Sequence, residues 1–469
     1  MSFGSVIDRV FEGIGSRDAD INRSRVNYGT NFYLVKSHDG SSLIFSFPAV
    51  INHNPLENFP ECESGSDGCI AGIIELIKSK VHGNSALRPL GGLDTAVPKN
   101  YGANIEPVTF CHVSYGTGSD LWKADEKNCL SDGKVLLNLS GALPYPGVST
   151  DTPDSSAIRR LNETFAALLD AVAKEVISYD GKSAEKNALC SMDQKQIRAS
   201  LESKGLVSFI ADGTLPVRSY TKYRTYFRVA GPALYAVRKG NSVTYEHGSV
   251  PYECPAELTP VEMELPASGG IVTGLGIRKK EVFAVIGSNA EGKSTFLQTI
   301  RSGCDDHLPG DGREYTITSG NVMSAESSEA DITGADIRLF FKSLPKGTSG
   351  TPANVTGRGS GSMGMAAQFT AALRRRASLI IIDEDKSATN LLVPNCIQSS
   401  DVTPLSVICK NERDKLGDSS ILFAAATMDI LTAEADRILK FGDHRMYAVG
   451  RDEFRVKLKE YLRNASDEL

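Results

Sequence analysis

The stretch from Glu281 to Thr299 reads EVFAVIGSNAEGKSTFLQT. Val282 to Ile286 are uniformly apolar, which suits a strand buried on both faces of a parallel sheet. Gly287 opens a loop that closes on Gly292-Lys293-Ser294, and Thr295 to Ile300 continue with helical character. The pattern is strand, glycine-bounded loop and helix, with G-x-x-x-x-G-K-S across the junction. Each part has a chemical reason. Glycines let backbone N–H groups turn inward around a phosphate chain, and a helix N-terminus adds the positive end of a dipole. Lys293 is expected to reach the β- and γ-phosphates, and the Ser294 hydroxyl to ligate Mg2+. The expected phosphate contacts are Gly287, Asn289, Gly292, Lys293, Ser294 and Thr295. A glycine-rich turn with a surface lysine is the blander reading, and it leaves the flanking strand and helix unexplained.

A second apolar strand supplies what this loop needs. Leu379-Ile380-Ile381-Ile382 closes on Asp383-Glu384. Asp383 is expected to hold the Mg2+ hydration shell, and Glu384 to polarise the attacking water. An isolated Asp-Glu pair after a strand is a solvated strand end; the phosphate-loop motif tips the reading toward catalysis. Roughly twenty residues earlier, Ser360-Gly361-Ser362 precedes a helix expected over 363–376. Taken alone, that tripeptide is a helix cap in a Gly/Ser/Thr-rich loop over 345–362.

Composition sets the frame. The chain has 469 residues, 41% hydrophobic and 23% charged, with a formal net charge of −6. It is long enough for two or three domains at ~150 residues each. The acidic balance argues against a generally basic nucleic-acid coat, so any such binding must be local. The nine cysteines are scattered without a C-x-x-C pair. They read as reduced thiols in a cytosolic-type compartment. The first 26 residues carry Asp8, Glu12, Asp18 and Asp20 and no long apolar run, so a signal peptide or transit peptide is not expected. No apolar stretch reaches the ~20 residues of a membrane span.

Outside the central unit, residues 1–25 suggest a short amphipathic helix. Asn31 to Val35 and Leu43 to Phe47 suggest a hairpin, 52–68 a loop, Ile70 to Lys80 a helix, and Lys134 to Leu139 a strand, with a strand-like Val108 to Val113 in an irregular stretch. Ser155 to Ser178 and Met192 to Lys204 are expected helices, the latter ended by Gly205. Leu206 to Ile210 reads as a buried strand. Past the loop, Ile337 to Leu344 is expected to be helical. The composition divides at 1–145, an N-terminal α/β domain; 146–255; 256–450, the nucleotide-binding domain; and 451–469, a charged helix with Phe454, Leu458 and Leu462 on one face.

Residues 219–245 stand apart. Lys222, Arg224, Arg228, Arg238 and Lys239 alternate with six aromatics, and no acid lies between Ser219 and Thr244. Such interleaving suits single-stranded RNA or DNA, through phosphate contacts and base stacking. A β-hairpin turning at Lys239-Gly240-Asn241, with a solvated basic face, accounts for the same residues and fits the acidic whole better.

The chain resembles the predicted ATPases of the ABC class, a divergent family that includes a mitochondrial RNA-binding factor of kinetoplastid RNA editing. Three stretches carry the likeness: Gly292 to Gln298 continuing to His307-Leu308-Pro309-Gly310-Asp311-Gly312-Arg313-Glu314-Tyr315; Ser360-Gly361-Ser362; and Ile382-Asp383-Glu384-Asp385-Lys386-Ser387-Ala388-Thr389-Asn390. Gly205 to Gly213 matches the family's strand before the core. The likeness is sharp over 205–450 and looser before it. It implies an α/β fold, an ABC-type P-loop NTPase core with an added N-terminal α/β domain. It implies a head-to-tail homodimer with two ATP molecules at the interface. Ser360, Gly361 and Ser362 would then bind the γ-phosphate held by the other subunit's phosphate loop, and Ser387 to Asn390 would cross the interface.

Departures from the ABC pattern are also legible. The usual switch histidine is missing after the strand 421–425, where Ala426-Thr427-Met428-Asp429 follows; Thr427 or Asp429 is the nearest polar substitute. Glu326 or Glu329 lies where a glutamine loop is expected. Tyr252 is the nearest aromatic upstream for stacking on adenine. His307 and Arg313 fit a structural turn as well as they fit catalysis. The expectation is a Mg2+-dependent ATPase that is not a membrane transporter, coupled to RNA or another nucleic acid. The alternatives are an RNA-associated scaffold using ATP as a structural clamp, or phosphoryl transfer to a small molecule.

Overall fold

The computed structural model describes residues 33–36, 42–81, 83–90, 122–144, 155–216, 218–220, 227–229, 234–239, 242–247, 250–397 and 401–467. The expected helix over 1–25, the strand Val108 to Val113, Lys222 and Arg224 lie outside these residues. The chain forms two compact units, Met1–Asp193 with Ser219–Arg228, and Gln194–Arg218 with Val229–Leu469. Contacts therefore group the chain differently from the composition-based division at 145, 255 and 450.

The first unit is built on a four-stranded sheet in the order Tyr33–Lys36, Ser42–Ile51, Lys134–Pro144, Cys129–Ser131. All its neighbours run antiparallel. The long strand alternates, so Leu43, Phe45 and Phe47 bury one face. Phe165 of the helix Ser155–Ile177 meets Phe45 and Phe47 edge-on, with ring centroids 5.1 and 5.7 Å apart. The helix Ser66–Lys80 adds Ile70, Ile73, Ile74 and Ile77 to the same core. It starts four residues before the expected Ile70, inside the stretch read as loop.

Two expected helices are corrected. The one placed at Met192 begins at Gly181 and runs to Ser200. Its first turns lack large apolar residues, but Ala184 and Ala188 are fully buried. A Cβ at Gly65 would lie 2.1 Å from the Ala188 carbonyl oxygen, so small residues on both partners permit the close approach. The helix expected over Ile337 to Leu344 is a single turn, closed by Phe340 N–H and Phe341 N–H onto the Ile337 carbonyl. Ile337, Phe340 and Phe341 are buried at helical spacing, but Phe341 bridges to Val402 instead of continuing the helix.

The second unit contains two larger sheets. An antiparallel one runs Val261–Glu264, Ile271–Arg278, Leu206–Ala211, Thr316–Thr318. The other has six strands in the order Val322–Ser324, Leu379–Asp383, Ser420–Ala425, Val282–Ile286, Arg437–Gly442, Arg445–Val449. Its first five are parallel and the last is antiparallel. Val282–Val285 and Leu379–Asp383 are buried throughout, as their unbroken apolar runs require. The helices Lys293–Ser302 and Gly361–Arg374 contribute to the cores of this unit through Phe296, Leu297 and Ile300, and through Met365 and Phe369. Leu234–Lys239 and Ser242–His247 pair as the expected antiparallel hairpin. Arg451–Asp467 is the expected terminal helix, with Phe454 packed against the core. Among the described residues no helix is long and apolar enough to cross a membrane.

Candidate active site

Parallel strands in register end at one edge, and that edge collects the site. Ile286 pairs with Ala425, and Asp383 with Ala424. The loop after Ile286, the pair Asp383-Glu384 and the segment Ala426-Thr427 therefore leave the sheet side by side.

The phosphate loop is shaped by its glycines. Gly287 has φ +145° and Gly292 φ +113°, a region that disfavours a side chain. A Cβ at Gly287 would lie 2.5 Å from the Phe441 carbonyl oxygen, so this position also needs the close approach. Ala290 sits at φ +64° without that freedom, a local strain of about 1 kcal/mol. Lys293 Nζ donates to the carbonyls of Gly287 at 2.7 Å and Ser288 at 2.8 Å. The helix begins at Lys293, and no side chain caps its N-terminus. Its first N–H groups are left for a ligand by helix geometry. Asn289 is exposed at the loop's crest, and Ser294 and Thr295 are half-buried in the first turn.

The loop has supports that sequence reading did not find. His444 N–H donates to the Glu291 carboxylate at 2.9 Å, from the turn between the two last strands of the sheet. At the opposite end of the strand, Arg437 binds Glu281 at 2.5 and 2.8 Å and donates to the carbonyls of Leu258 and Gly276, both at 2.6 Å. The guanidinium also lies 5.2 Å from the Phe283 ring centroid. Oppositely charged residues flanking two apolar runs were the available signal.

Asp383 is the last residue of its strand and is 9% exposed. Glu384 turns back toward the neighbouring strand end. Its carboxylate accepts from Thr427 N–H at 3.2 and 3.3 Å, and from Ala426 N–H and the Thr427 hydroxyl. Asp429 is pushed up from the ordinary carboxylate range, by burial first and by the charge of Glu384 second. The Ser387 hydroxyl donates to the Asp383 carbonyl at 2.6 Å, fixing the turn after the pair.

Glu326 follows the strand Val322–Ser324. Its N–H donates to Gln368 Oε1, and Gln368 Nε2 donates to its carbonyl, both at 3.0 Å. Its carboxylate lies 3.5 Å from Lys386, two residues past Glu384. Glu329 instead faces Arg358 at 3.5 Å. Tyr252 does not present a face for adenine. It is fully buried and packs tilted against Phe296 of the phosphate-loop helix, with ring centroids 5.6 Å apart.

The stretch His307 to Tyr315 is a turn held by its own ion pairs. Arg313 is buried and binds Asp311 at 2.8 Å, and His307 Nδ1 lies 3.3 Å from the same carboxylate. Gln194 brackets the His307 backbone at 2.6 and 2.7 Å, and Arg198 pairs with Asp306 at 2.7 Å.

Ser360 has extended backbone, φ −66° and ψ 169°, directly before the helix Gly361–Arg374. The Ser360 and Ser362 hydroxyls lie 3.3 Å apart, with Ser360 exposed. A Cβ at Gly364 would lie 2.0 Å from the Ser328 carbonyl oxygen, which brings the segment after Glu326 tightly onto this helix. Arg374 at the helix end holds Asp336 at 2.6 Å, and Arg338 holds it at 2.8 Å. Of the basic residues in 219–245, Arg228, Arg238 and Lys239 lie in described strands.

The donor set fits a hard cation beside a polyphosphate. Ser294 and Asp383 offer oxygens, Lys293 a point charge, and the helix start its N–H groups.

A family model for the ABC ATPase P-loop domain matches residues 180–468. An uncharacterised protein of Methanocaldococcus jannaschii, MJ1628, is 36% identical over 440 residues, covering 93% of this chain and 92% of its own length. Two solved structures are similar at low identity. The ADP conformation of MJ1267, an ATP-binding cassette of an ABC transporter, shares 13% identity, covering 53% of this chain and 93% of its own, with TM-score 0.26. The dimeric post-hydrolysis ATP-binding cassette MJ0796, bound to ADP and Pi, shares 10%, covering 47% and 97%, with TM-score 0.25.

Proposed function

The chain belongs to the ABC ATPase family, and from that premise we propose that it is a Mg2+-dependent ATPase whose two sites are completed by a second copy. The observation that carries this is the shared strand-end edge, where the loop leading to Lys293 and the residue Glu384 follow parallel strands on either side of Ser420–Ala425. Gly287, Asn289, Gly292 and the first turn through Thr295 wrap the phosphate chain with N–H groups. Lys293 exchanges its two loop carbonyls for the β- and γ-phosphates. Ser294 and Asp383 hold the cation, which when bound neutralises charge on the transferred phosphoryl group. Glu384 takes a proton from the attacking water. Ser360, Gly361 and Ser362 of the second copy meet the γ-phosphate with the start of their helix.

Phosphate release tests the reading. The wild type is expected to release phosphate from Mg·ATP, and Glu384→Gln to lose on the order of 100- to 10,000-fold while still binding ATP. A wild type that binds ATP and releases none contradicts it. That result favours the clamp alternative, in which ATP is held without turnover.

The partner we propose is single-stranded nucleic acid, RNA foremost, at 219–245. Support comes from the basic and aromatic residues that interleave between Ser219 and Thr244 with no acid among them. Arg224→Ala with Arg228→Ala is expected to weaken RNA binding and flatten its salt dependence by about two phosphate contacts. Unchanged affinity and slope would remove the segment from any such site.

A further inference from the structure

We propose that Thr427 is the positioning residue for Glu384: it fixes the carboxylate at the strand edge from which the attacking water is deprotonated. This rests on the ATPase reading above and adds to it a residue that the chemistry has so far not used.

The geometry is specific. Thr427 donates twice, through its backbone N–H and its hydroxyl, and Ala426 N–H donates as a third group. The backbone N–H of Thr427 is shared between both carboxylate oxygens, at 3.2 and 3.3 Å. An ionised carboxylate offers roughly four lone-pair sites. The three donors make four contacts, and the shared backbone N–H, at 3.2 and 3.3 Å, is the longest of them and the one that an incoming water displaces.

Both partners stand on rigid supports. Glu384 follows Asp383, which pairs with Ala424 in the adjacent strand. Thr427 leaves that adjacent strand, which is buried from Ser420 to Ala425. Neither residue reaches the other through a long mobile linker. Thr427 is β-branched, so its hydroxyl is confined to few rotamers and loses little entropy on holding the carboxylate. A longer side chain at this position could reach further toward a phosphate. Threonine is short and ends on its neighbour.

The test uses the full chain and compares Thr427→Val with Thr427→Ser. Valine keeps the shape and both backbone donors and removes only the hydroxyl. Thr427 is exposed, so the fold tolerates either, and equal thermal midpoints verify that. Expected for Thr427→Val is a fall in kcat of about 10- to 100-fold with KM for ATP unchanged, the effect of one hydrogen bond to a charged group. Thr427→Ser is expected to recover most of the rate. In a Glu384→Gln background, Thr427→Val is expected to cost nothing more, because the two act as one unit. A kcat equal to or above the wild type in Thr427→Val overturns the assignment, as does a raised KM with kcat intact. The outcomes separate from the parent reading. A wild type that turns over and depends on Glu384, beside a fully active Thr427→Val, removes Thr427 alone. A wild type without turnover removes the ATPase and this inference together.

Discussion

The strand-end edge and the start of the helix Gly361–Arg374 carry similar chemistry in opposite states. At the edge, the chain meets its own polar groups. Lys293 rests on Gly287 and Ser288, Glu291 on His444, and Glu384 on Ala426 and Thr427. At the helix start, Ser360 is exposed and its hydroxyl faces Ser362. The edge is built by parallel registry within one chain. The helix start is held from behind, by Gly364 against Ser328 and by Arg374 on Asp336. One half gathers Lys293, Asp383 and Glu384 at one edge of a single chain; the other leaves Ser360 and a braced helix start facing outward, where the proposed second copy would bring its phosphate.

The sharpest way to break that contrast is to disable each half separately. Lys293→Ala is expected to lower phosphate release on the order of 100- to 1000-fold and to weaken ATP binding, measured by calorimetry. Ser360→Arg places bulk and charge on the helix start. It is expected to lower release about as far while leaving ATP affinity of the single chain unchanged, because the phosphate loop is untouched. A loss of ATP affinity in Ser360→Arg would mean that the two regions are not separate halves.

A smaller effect separates the two kinds of support. Gly287→Ala forces a Cβ to 2.5 Å from the Phe441 carbonyl oxygen at φ +145°. It is expected to cost about 2 kcal/mol of stability, read as a lowered denaturation midpoint, along with ATP binding. The smallest expected effect concerns the brace of the helix Gly361–Arg374. Asp336 is held down to about 2, first by its hydrogen bond from Arg338, with Arg374 adding to the effect. Its folded value lies below its unfolded one. Its contribution is therefore present above the ordinary carboxylate range and is lost as pH falls through about 2. The arginines are 66% and 57% exposed, so screening limits the contribution. Asp336→Asn is expected to cost about 1 kcal/mol near neutral pH and nothing at acid pH, in denaturation curves taken at both.

The edge was legible in sequence and its fine positioning was not, for physical reasons. Val282 to Ile286 and Leu379 to Ile382 are unbroken apolar runs, and only burial on both faces of a parallel sheet explains such runs next to a glycine loop and an acidic pair. The hairpin at 234–247 was legible from its turn residues. The helix from Gly181 was hidden because its packing uses Ala184 and Ala188 against Gly65, not a stripe of large residues. Ile337 to Leu344 misled because Ile337, Phe340 and Phe341 have helical spacing yet are buried by one turn and a bridge to Val402. Tyr252 misled because an aromatic upstream of a phosphate loop can serve the core as readily as a base. In sequence, Thr427 stands out only as the polar residue nearest to where a histidine is missing. Its partner, Glu384, lies 43 positions earlier, and no local pattern joins them.

The central claim is that the site is shared between copies, and mixing two inactive variants tests it most directly. Lys293→Ala lacks the loop charge but keeps its helix start, and Ser360→Arg is the reverse. In a head-to-tail pair of one variant with the other, one site has Lys293 and Ser360 intact. Phosphate release is therefore expected to return on mixing, to about a quarter of the wild-type rate when pairing is random. A mixture as inactive as either variant alone, with ATP still bound by Ser360→Arg, would contradict the account.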